Sequence, residues 1–327
     1  MSLAAPQVWG ASGVLAVIPA RNEARRLPLA LAALHAAGAD VLVVANGCND
    51  GTAGIALAEG AAVLETGDAP GGVGAARRAG MIAARDLAPH AGVLLTTDAD
   101  CRLAPGALAA LLRALDRADA AMGRVVPEPA EFARLPAAVR RHGNLEDLRD
   151  ALLAEIGAFA EPRLHDPMPR HGQCPGALMA FRAAAYDAVG GFAPLACSED
   201  RDIARRLVLA GLRVAHPWDA VVNASCRLSG RAPGGMADTI AQRARADLTH
   251  ETERLERQCT RLAALVHALR RDGPAALTHM ADHRCGVMLS NAPGQPKWRD
   301  VRIYPSTQSA TGPDHDHGPS LETVLSS

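Results

Sequence analysis

Two pairs of carboxylates are candidates for metal binding or for acid–base catalysis. Asp98 and Asp100 follow the apolar run at residues 92–97, and Glu199 and Asp200 precede an amphipathic segment. Carboxylates one residue apart repel each other unless a positive group lies near them. A divalent cation such as Mg²⁺ or Mn²⁺ accepts oxygen ligands and can bridge them to a diphosphate. Asp98 and Asp100 are therefore candidate metal ligands, with capping of the next helix by Asp98 as the structural alternative.

The second acidic pair admits two interpretations. Carboxylates in the first turn of a helix are stabilised by the helix dipole. Glu199 and Asp200, with Asp202 two residues further, can therefore be purely structural. One of them can instead serve as a general base if its neighbours raise its pKa toward neutrality. The residues alone do not decide between these roles.

Polar and glycine-rich turns follow several of the apolar runs. Residues 19–23 read Pro-Ala-Arg-Asn-Glu, where backbone N–H groups and a helix N-terminus can meet a phosphate or a base. Asn46 opens a turn of ordinary Asn-Gly and Asp-Gly chemistry. The glycines at 71, 72 and 74, with Arg77, can cradle a diphosphate. None of these turns is specific by itself.

Hydrophobic periodicity places these residues at the ends of strands. The predicted strands cover residues 14–18, 41–44, 62–64, 92–97 and 177–181, with short strands at 214 and 221–222. The predicted helices cover 22–38, 53–59, 75–85, a segment from 105, 183–189, 202–210 and 236–271, the last as one helix or a pair. Strands separated by helices predict an α/β fold with a doubly wound, mostly parallel sheet. Its ligand site should lie beyond the carboxyl ends of the strands.

Composition excludes several classes of protein. Hydrophobic residues make up 49% and charged residues 21% of the 327, which predicts a globular protein with a sizeable core. The 34 basic and 35 acidic residues argue against nucleic acid as a partner. No uncharged apolar run reaches the ~18 residues of a membrane span, and the N-terminal residues lack the charged region of a secretory signal. Scattered cysteines without a C-x-x-C indicate a reducing compartment, so we expect a cytoplasmic protein.

The ordered set of motifs resembles the family 2 glycosyltransferases. The motifs are IPARNE at 18–23, VVANGCNDGT at 43–52, GVGAARRAG at 72–80, TTDAD at 96–100 and SED at 198–200. The resemblance covers residues 14–223. It implies the GT-A fold, a nucleoside-diphosphate sugar as donor, a divalent metal as cofactor (Mg²⁺ or Mn²⁺) and transfer with inversion.

The resemblance also implies roles for individual residues. Asp100 is the likelier direct metal ligand and Asp98 its companion, while Asp200, next to Glu199, matches the usual catalytic base. Asn46 stands where the family commonly has a base-binding aspartate, and an amide can donate as well as accept. The nucleotide-sugar-binding residues implied by position are Pro19, Ala20, Arg21, Asn22, Glu23, Asn46, Gly74, Arg77, Asp98, Ala99 and Asp100.

The acceptor site is the least readable part of the sequence. The helical, charged segment 131–170 is either an acceptor-binding segment or a surface insertion. Residues 242–246 are similar to the Q-x-x-R-W motif of processive members, but Ala246 replaces the tryptophan, so a processive synthase is not expected. A basic loop with Arg227 closes over the donor phosphates or merely links the sheet to the helical end. The candidates for an acceptor or phosphate loop are Gln173, Gly176, Arg231, Gln242 and Arg245.

The predicted enzyme transfers a single sugar, from a UDP-sugar in first place, to a small or carrier-bound acceptor. The alternatives are a nucleotidyltransferase acting on a sugar phosphate and an inactive nucleotide-sugar-binding module. We predict a GT-A domain at 1–230, with a nucleotide-sugar half at 1–125 and an acceptor and base half at 126–230. A helical extension at 231–290, through which a homodimer can form, and a disordered tail at 291–327 follow.

Overall fold

The computed structural model describes residues 1–6, 9–67, 71–161, 163–230, 235–274 and 276. The strands are β1 (Ser2–Ala4), β2 (Val14–Ala20), β3 (Asp40–Asn46), β4 (Ala62–Thr66), β5 (Val93–Thr97), β6 (Cys101–Leu103), β7 (Ala120–Met122), β8 (Arg124–Pro127), β9 (Leu178–Arg182), β10 (Val214–Ala215) and β11 (Val221–Ala224). The helices are α1 (Leu27–Ala36), α2 (Thr52–Ala58), α3 (Gly72–Leu87), α4 (Ala107–Leu115), α5 (Pro129–Phe132), α6 (Ala137–Ala160), α7 (Ala183–Ala188), α8 (Glu199–Leu209), α9 (Met236–Arg243) and α10 (Thr249–Asp272).

Eight strands form one sheet in the order β1-β4-β3-β2-β5-β9-β7-β10. Neighbours from β4 to β5 run parallel, and β9 runs antiparallel between β5 and β7. A second sheet has the order β6-β11-β8, with β11 antiparallel to β6 and parallel to β8. The predicted α/β fold with a large, mostly parallel sheet flanked by helices is confirmed.

The central strands are apolar throughout because both faces of the sheet are covered. Ala16 and Ile18 of β2 belong to one hydrophobic core, and Leu15 and Val17 belong to the other. Successive side chains of a strand point to opposite faces, so a strand covered on both faces needs an unbroken apolar run. A β-carbon on Gly80 of α3 would lie 2.4 Å from Val17 Cγ1, so this glycine lets α3 approach the sheet closely.

Three predicted helices begin elsewhere in the structure. α1 begins at Leu27 rather than at residue 22, because Asn22 has the left-handed φ of 54°. The carbonyl of Glu23 accepts the N–H groups of Arg26 and Leu27 instead, which forms a turn before the helix. α3 begins at Gly72 rather than at 75, and α8 begins at Glu199 rather than at 202. Residues 236–271, predicted as one helix or a pair, form the pair α9 and α10.

Internal contacts divide the chain into two compact units, residues 1–134 with 173–242 and residues 135–172 with the chain from 243 onward. These limits differ from the predicted boundary at 230, because α6 packs along α10 through Leu145, Leu148, Leu255 and Cys259. Residues 277–327, which include the predicted tail, lie outside the described residues. Among the helices that are described, none combines the length and the apolar character needed to cross a membrane.

Candidate active site

The first acidic pair lies directly beyond the carboxyl end of β5. Thr96 donates through its hydroxyl to the Val17 carbonyl at 2.9 Å, and Thr97 donates to the Ala177 carbonyl at 2.6 Å. These buried bonds fix the strand end from both neighbouring strands. Asp98 and Asp100 follow as half-buried residues, as the position of the motif after an apolar run predicted.

The acidic pair has the chemistry of a site for a hard divalent cation. Ligand atoms of Asp98, Asp100 and Cys101 all lie within 4.8 Å of one another. Burial and the charges of both aspartates raise the pKa of the Cys101 thiol well above its usual range. Cys101 therefore stays protonated, and the two carboxylates supply the oxygen ligands that Mg²⁺ and Mn²⁺ prefer.

Arg227 forms an ion pair with Asp100, the second carboxylate of this pair. Arg227 Nη2 lies 3.0 Å from Asp100 Oδ2, and its Nη1 lies 2.6 Å from Glu23 Oε1. Burial and the charge of Asp98 raise the pKa of Asp100 to about 6, and Arg227 opposes that shift. The site thus concentrates negative charge and holds a positive group against it.

A second arginine joins the two acidic motifs. Arg77 is 2% exposed, and its guanidinium pairs with Asp98 through Nη2 and with Glu199 through Nη1. Burial acts to lower the pKa of Arg77, but the carboxylates around it outweigh burial and raise that pKa. A β-carbon on Gly176 would lie 2.2 Å from Arg77 Nη1, so a glycine is needed above the guanidinium.

The two members of the second acidic pair have different surroundings. Glu199 is 4% exposed and faces Arg77; burial raises its pKa although Arg77 opposes the shift. Asp200 is half-buried, with Oδ2 accepting from Gly176 N at 2.8 Å and Oδ1 accepting from Arg201 N at 2.7 Å. Of the two carboxylates, Asp200 is the one that a solvent-borne group can reach.

The first loop and the Asn46 turn come together as one surface. Asn49 N donates to Asn22 Oδ1 at 2.9 Å, and Glu23 N donates to Thr52 Oγ1 at 2.9 Å. Asn46 itself is 8% exposed, and its Oδ1 accepts from the Thr66 hydroxyl at 3.1 Å. The predicted base-binding amide is therefore largely occupied within the protein.

The remaining predicted residues fall into three groups. Pro19, Ala20 and Ala99 lie at strand ends with mostly buried side chains, and Arg21 is exposed. Gly74 donates its N–H to the Leu195 carbonyl at 3.0 Å, and a β-carbon there would lie 2.5 Å from the Ala193 carbonyl oxygen. Gly74 thus packs against the loop that precedes α8.

The predicted acceptor-loop residues lie in different places. Gln173 Oε1 accepts from Val125 N at 2.9 Å. Gln242 and Arg245 are exposed at and after the end of α9, and Arg231 lies outside the described residues.

Glu131 and its hydrogen-bond partners, which hold the segment just before Arg227, could not be identified as site residues from the sequence. Glu131 accepts hydrogen bonds from Arg26 Nη1 at 2.7 Å, from the Ser225 hydroxyl at 2.7 Å and from Cys226 N at 2.8 Å. Burial acts to raise the pKa of Glu131, but these bonds, those from Arg26 and Ser225 foremost, hold it below its usual range. Glu131 and its partners are about a hundred residues apart in the chain. Single residues at that distance form no sequence pattern from which their contact could be predicted.

Several solved structures are similar to this chain. The mannosyltransferase PcManGT from Pyrobaculum calidifontis, in complex with GDP-Man and Mn²⁺, aligns at 18% identity and a TM-score of 0.42, over 82% of this chain and 78% of that one. S. aureus TarS 1–349 in complex with UDP-GlcNAc aligns at 15% identity and 0.47, over 78% and 72%. Glucosyl-3-phosphoglycerate synthase from Mycobacterium tuberculosis, with Mn²⁺, UDP and phosphoglyceric acid, aligns at 17% identity and 0.43, over 75% and 78%.

Sequence comparison identifies the family. No curated protein matches the chain. The family model described as Glycosyl transferase family 2 matches residues 15–187, which is more than half of the 327 residues. The matched range contains the first loop, the Asn46 turn, Arg77 and the acidic pair after β5. The chain therefore belongs to glycosyl transferase family 2.

Proposed function

We propose that this protein transfers a sugar from a nucleoside-diphosphate sugar to an acceptor hydroxyl with inversion, and that Asp200 is the general base. Family membership supports glycosyl transfer from a nucleotide sugar in general. The observation that carries the finer proposal is Arg77, which ties Asp98 of the first acidic pair to Glu199, the residue before Asp200. A diphosphate site and a base are thereby held at fixed positions relative to each other.

Asp98 and Asp100 are the residues that would hold a divalent cation, Mg²⁺ or Mn²⁺. Such a cation, when bound, offsets charge on a departing nucleoside diphosphate. The donor set fits this role because it is made of oxygens, and because the pair already attracts the guanidinium of Arg227. We propose that the base and ribose of the donor, a UDP-sugar in first place, lie against residues 19–23 and 46–52.

Asp200 suits the role of base through its hydrogen bonds. Each of its oxygens accepts one backbone N–H, from Gly176 and from Arg201, so the carboxylate is held in one orientation. A carboxylate has about four lone-pair positions, which leaves acceptor capacity for an acceptor hydroxyl. In the proposed reaction Asp200 takes the proton of that hydroxyl as the oxygen attacks the anomeric carbon. Glu199 is too buried for this step and instead positions Arg77.

The substitution Asp200→Asn tests the assignment, with Asp202→Asn as its control. Asp202 lies in the same first turn of α8 but pairs with Arg206 at 2.7 Å. We expect Asp200→Asn to lower sugar transfer about 100-fold or more, because loss of a general base typically removes that much rate. Binding of the donor nucleotide, measured as thermal shifts with UDP, GDP, CDP, ADP and dTDP with and without Mn²⁺, should stay unchanged.

The control separates a lost base from a damaged helix. Asp202→Asn should transfer sugar within a few-fold of the wild type, and NMR of the product should show the inverted anomer. Normal turnover by Asp200→Asn would refute the base assignment. A nucleotide-dependent thermal shift without any transfer or donor hydrolysis in the wild type would instead favour the inactive binding module.

A further inference from the structure

Arg227 occupies the position of a cation at the first acidic pair. We infer that Arg227 is a resident counter-cation of this site, which competes with a divalent metal for Asp100 and is released toward the donor diphosphate when the metal binds. The diphosphate part of this inference rests on the proposed function. The competition with the metal rests only on the contacts around Asp100.

The guanidinium of Arg227 is shared between two acidic side chains. It lies 3.0 Å from Asp100 Oδ2 and 2.6 Å from Glu23 Oε1, and the side chains of Arg227 and Asp100 are 19% and 18% exposed. A cation coordinated by Asp98 and Asp100 would share the Asp100 carboxylate with Arg227. It would also stand within a few ångströms of a full positive charge. Metal and guanidinium therefore compete for the charge of Asp100.

The buried arginine of the site cannot take over this role, and Arg26, whose charge also acts on Asp100, is hydrogen-bonded to Glu131. Arg77 is buried and already pairs with Asp98 and Glu199. Both partners come from fixed elements, the end of β5 and the first turn of α8. Arg77 is therefore held in place by its two ion pairs. Arg227, in contrast, lies in the loop after β11 and forms its ion pair with Asp100. Of these arginines, Arg227 is thus the one that can be exchanged for a metal ion.

The backbone beneath Arg227 is anchored, so that only its side chain needs to move. Ser225 N donates to the Asp100 carbonyl at 3.2 Å, and Arg227 N donates to the Ser225 hydroxyl at 3.2 Å. Glu131 holds the same segment by accepting from the Ser225 hydroxyl and from Cys226 N. With Cα fixed, rotation about side-chain bonds can carry the guanidinium away from Asp100. The freed group stays beside the metal position, where arginine recognises phosphate oxygens well.

The experiment measures Mn²⁺ and UDP binding separately. Arg227→Gln removes the charge, Arg227→Lys keeps it, and Arg113→Gln removes an exposed arginine that pairs with Asp219. We expect nucleotide-free Arg227→Gln to bind Mn²⁺, followed by electron paramagnetic resonance, about tenfold more tightly than wild type or more, because a full charge next to a divalent ion is removed. With saturating Mn²⁺, UDP should bind this variant about tenfold more weakly, since a charge-assisted contact is lost.

The two controls should behave like the wild type toward Mn²⁺, Arg113→Gln fully and Arg227→Lys closely. If Arg227→Gln folds poorly, the melting temperature gives the same answer, since added Mn²⁺ should raise it more in this variant than in the wild type. Equal or weaker Mn²⁺ binding by Arg227→Gln overturns the inference, as does the absence of Mn²⁺ binding from every variant. Tighter Mn²⁺ binding without binding of any nucleoside diphosphate would sustain the competition and refute the proposed function instead.

Discussion

Arg77 carries one positive charge between carboxylates of two motifs that are far apart in the sequence. Its partners Asp98 and Glu199 lie 21 and 122 residues away, and a buried guanidinium can serve both because its donors are spread over a rigid fork. A lysine ammonium keeps the charge but is a single point, so it cannot reproduce both contacts. Arg77 therefore acts on catalysis by positioning the two motifs.

We predict that Arg77→Gln destabilises the protein by about 3 kcal/mol or more, because Glu199 is left as a buried charge without its partner. Urea unfolding at neutral pH measures this change. The double variant Arg77→Gln/Glu199→Gln should lose less stability than Arg77→Gln alone, since no uncompensated charge remains at Glu199. If Arg77→Gln were as stable as the wild type, the ion pairs would not carry the role given to them here.

Individual site residues could be found from the sequence, but their partners could not. The acidic residues and Arg77 stand in short motifs after apolar runs, and the family resemblance selected them. Arg77 was expected at the diphosphate, whereas its contacts in the structure are Asp98 and Glu199. Glu131 contacts Ser225 and Cys226, just before Arg227, in a region where β6, β11 and β8 form a second sheet. That sheet depends on long-range pairing, which has no local periodicity.

At the scale of elements, the glycines at the start of α3 serve packing. Gly74 faces the backbone of the loop that leads to Glu199 and Asp200; a β-carbon would lie 2.5 Å from the Ala193 carbonyl oxygen and 2.6 Å from that of Leu195. A glycine run at the start of a helix also suggests a phosphate cradle, and the sequence cannot separate the two reasons. In the structure the backbone of Ala193 and Leu195 lies against Gly74, which gives a packing reason for this glycine.

We predict that Gly74→Ala destabilises the protein by about 1–3 kcal/mol, because an added methyl group must displace backbone rather than a flexible side chain. Sugar transfer should fall as well, since the displaced loop precedes Asp200. The matched control is Gly54→Ala in α2, where a β-carbon meets nothing within 4 Å and alanine should stabilise by about 0.5–1 kcal/mol. Unfolding curves and transfer rates of the pair check both signs, and an unchanged Gly74→Ala would show that the loop tolerates a side chain.

Elements were predictable where they are long and buried, and less so where they are short. The runs of β2, β3 and β5 are apolar because both sheet faces are covered, and they were predicted within a residue or two. β1, β6, β7 and β8 were missed because three or four residues carry too little pattern to separate strand from loop. The partition into two units also escaped prediction, because the pairing of α6 with α10 joins segments about a hundred residues apart.

At the scale of the whole molecule, the basic residues do not lose charge in moderately alkaline solution. Lys297 is the only lysine, and arginine stays protonated up to pH values above 12. The ion pairs of Arg77 and Arg227 are therefore preserved to high pH. Alkaline sensitivity should instead come from buried acids, among them Tyr186 and Cys259: burial raises the pKa of Tyr186 to about 12 and that of Cys259 to about 11.

These two groups predict how stability falls with pH. In the folded state Tyr186 keeps its proton up to a pH of about 12, whereas in the unfolded chain it loses the proton near its usual value of 10. The unfolded state therefore gains from ionisation first, so the contribution of Tyr186 to stability is undiminished below pH 10 and declines by about 2 kcal/mol as the pH rises to 12. Tyr186→Phe should lose about 1 kcal/mol of stability at neutral pH, because the hydroxyl accepts the Phe192 N–H at 3.0 Å. Its stability should nevertheless fall less steeply between pH 10 and 12.

Cys259 predicts a second effect at lower pH. In Cys259→Ala the fall of stability should be less steep from pH 9 upward, because 9 is the usual pKa of the thiol that is removed. Denaturant midpoints by circular dichroism between pH 8 and 11.5 check both variants, and slopes parallel to the wild type would contradict the assignment of these buried acids.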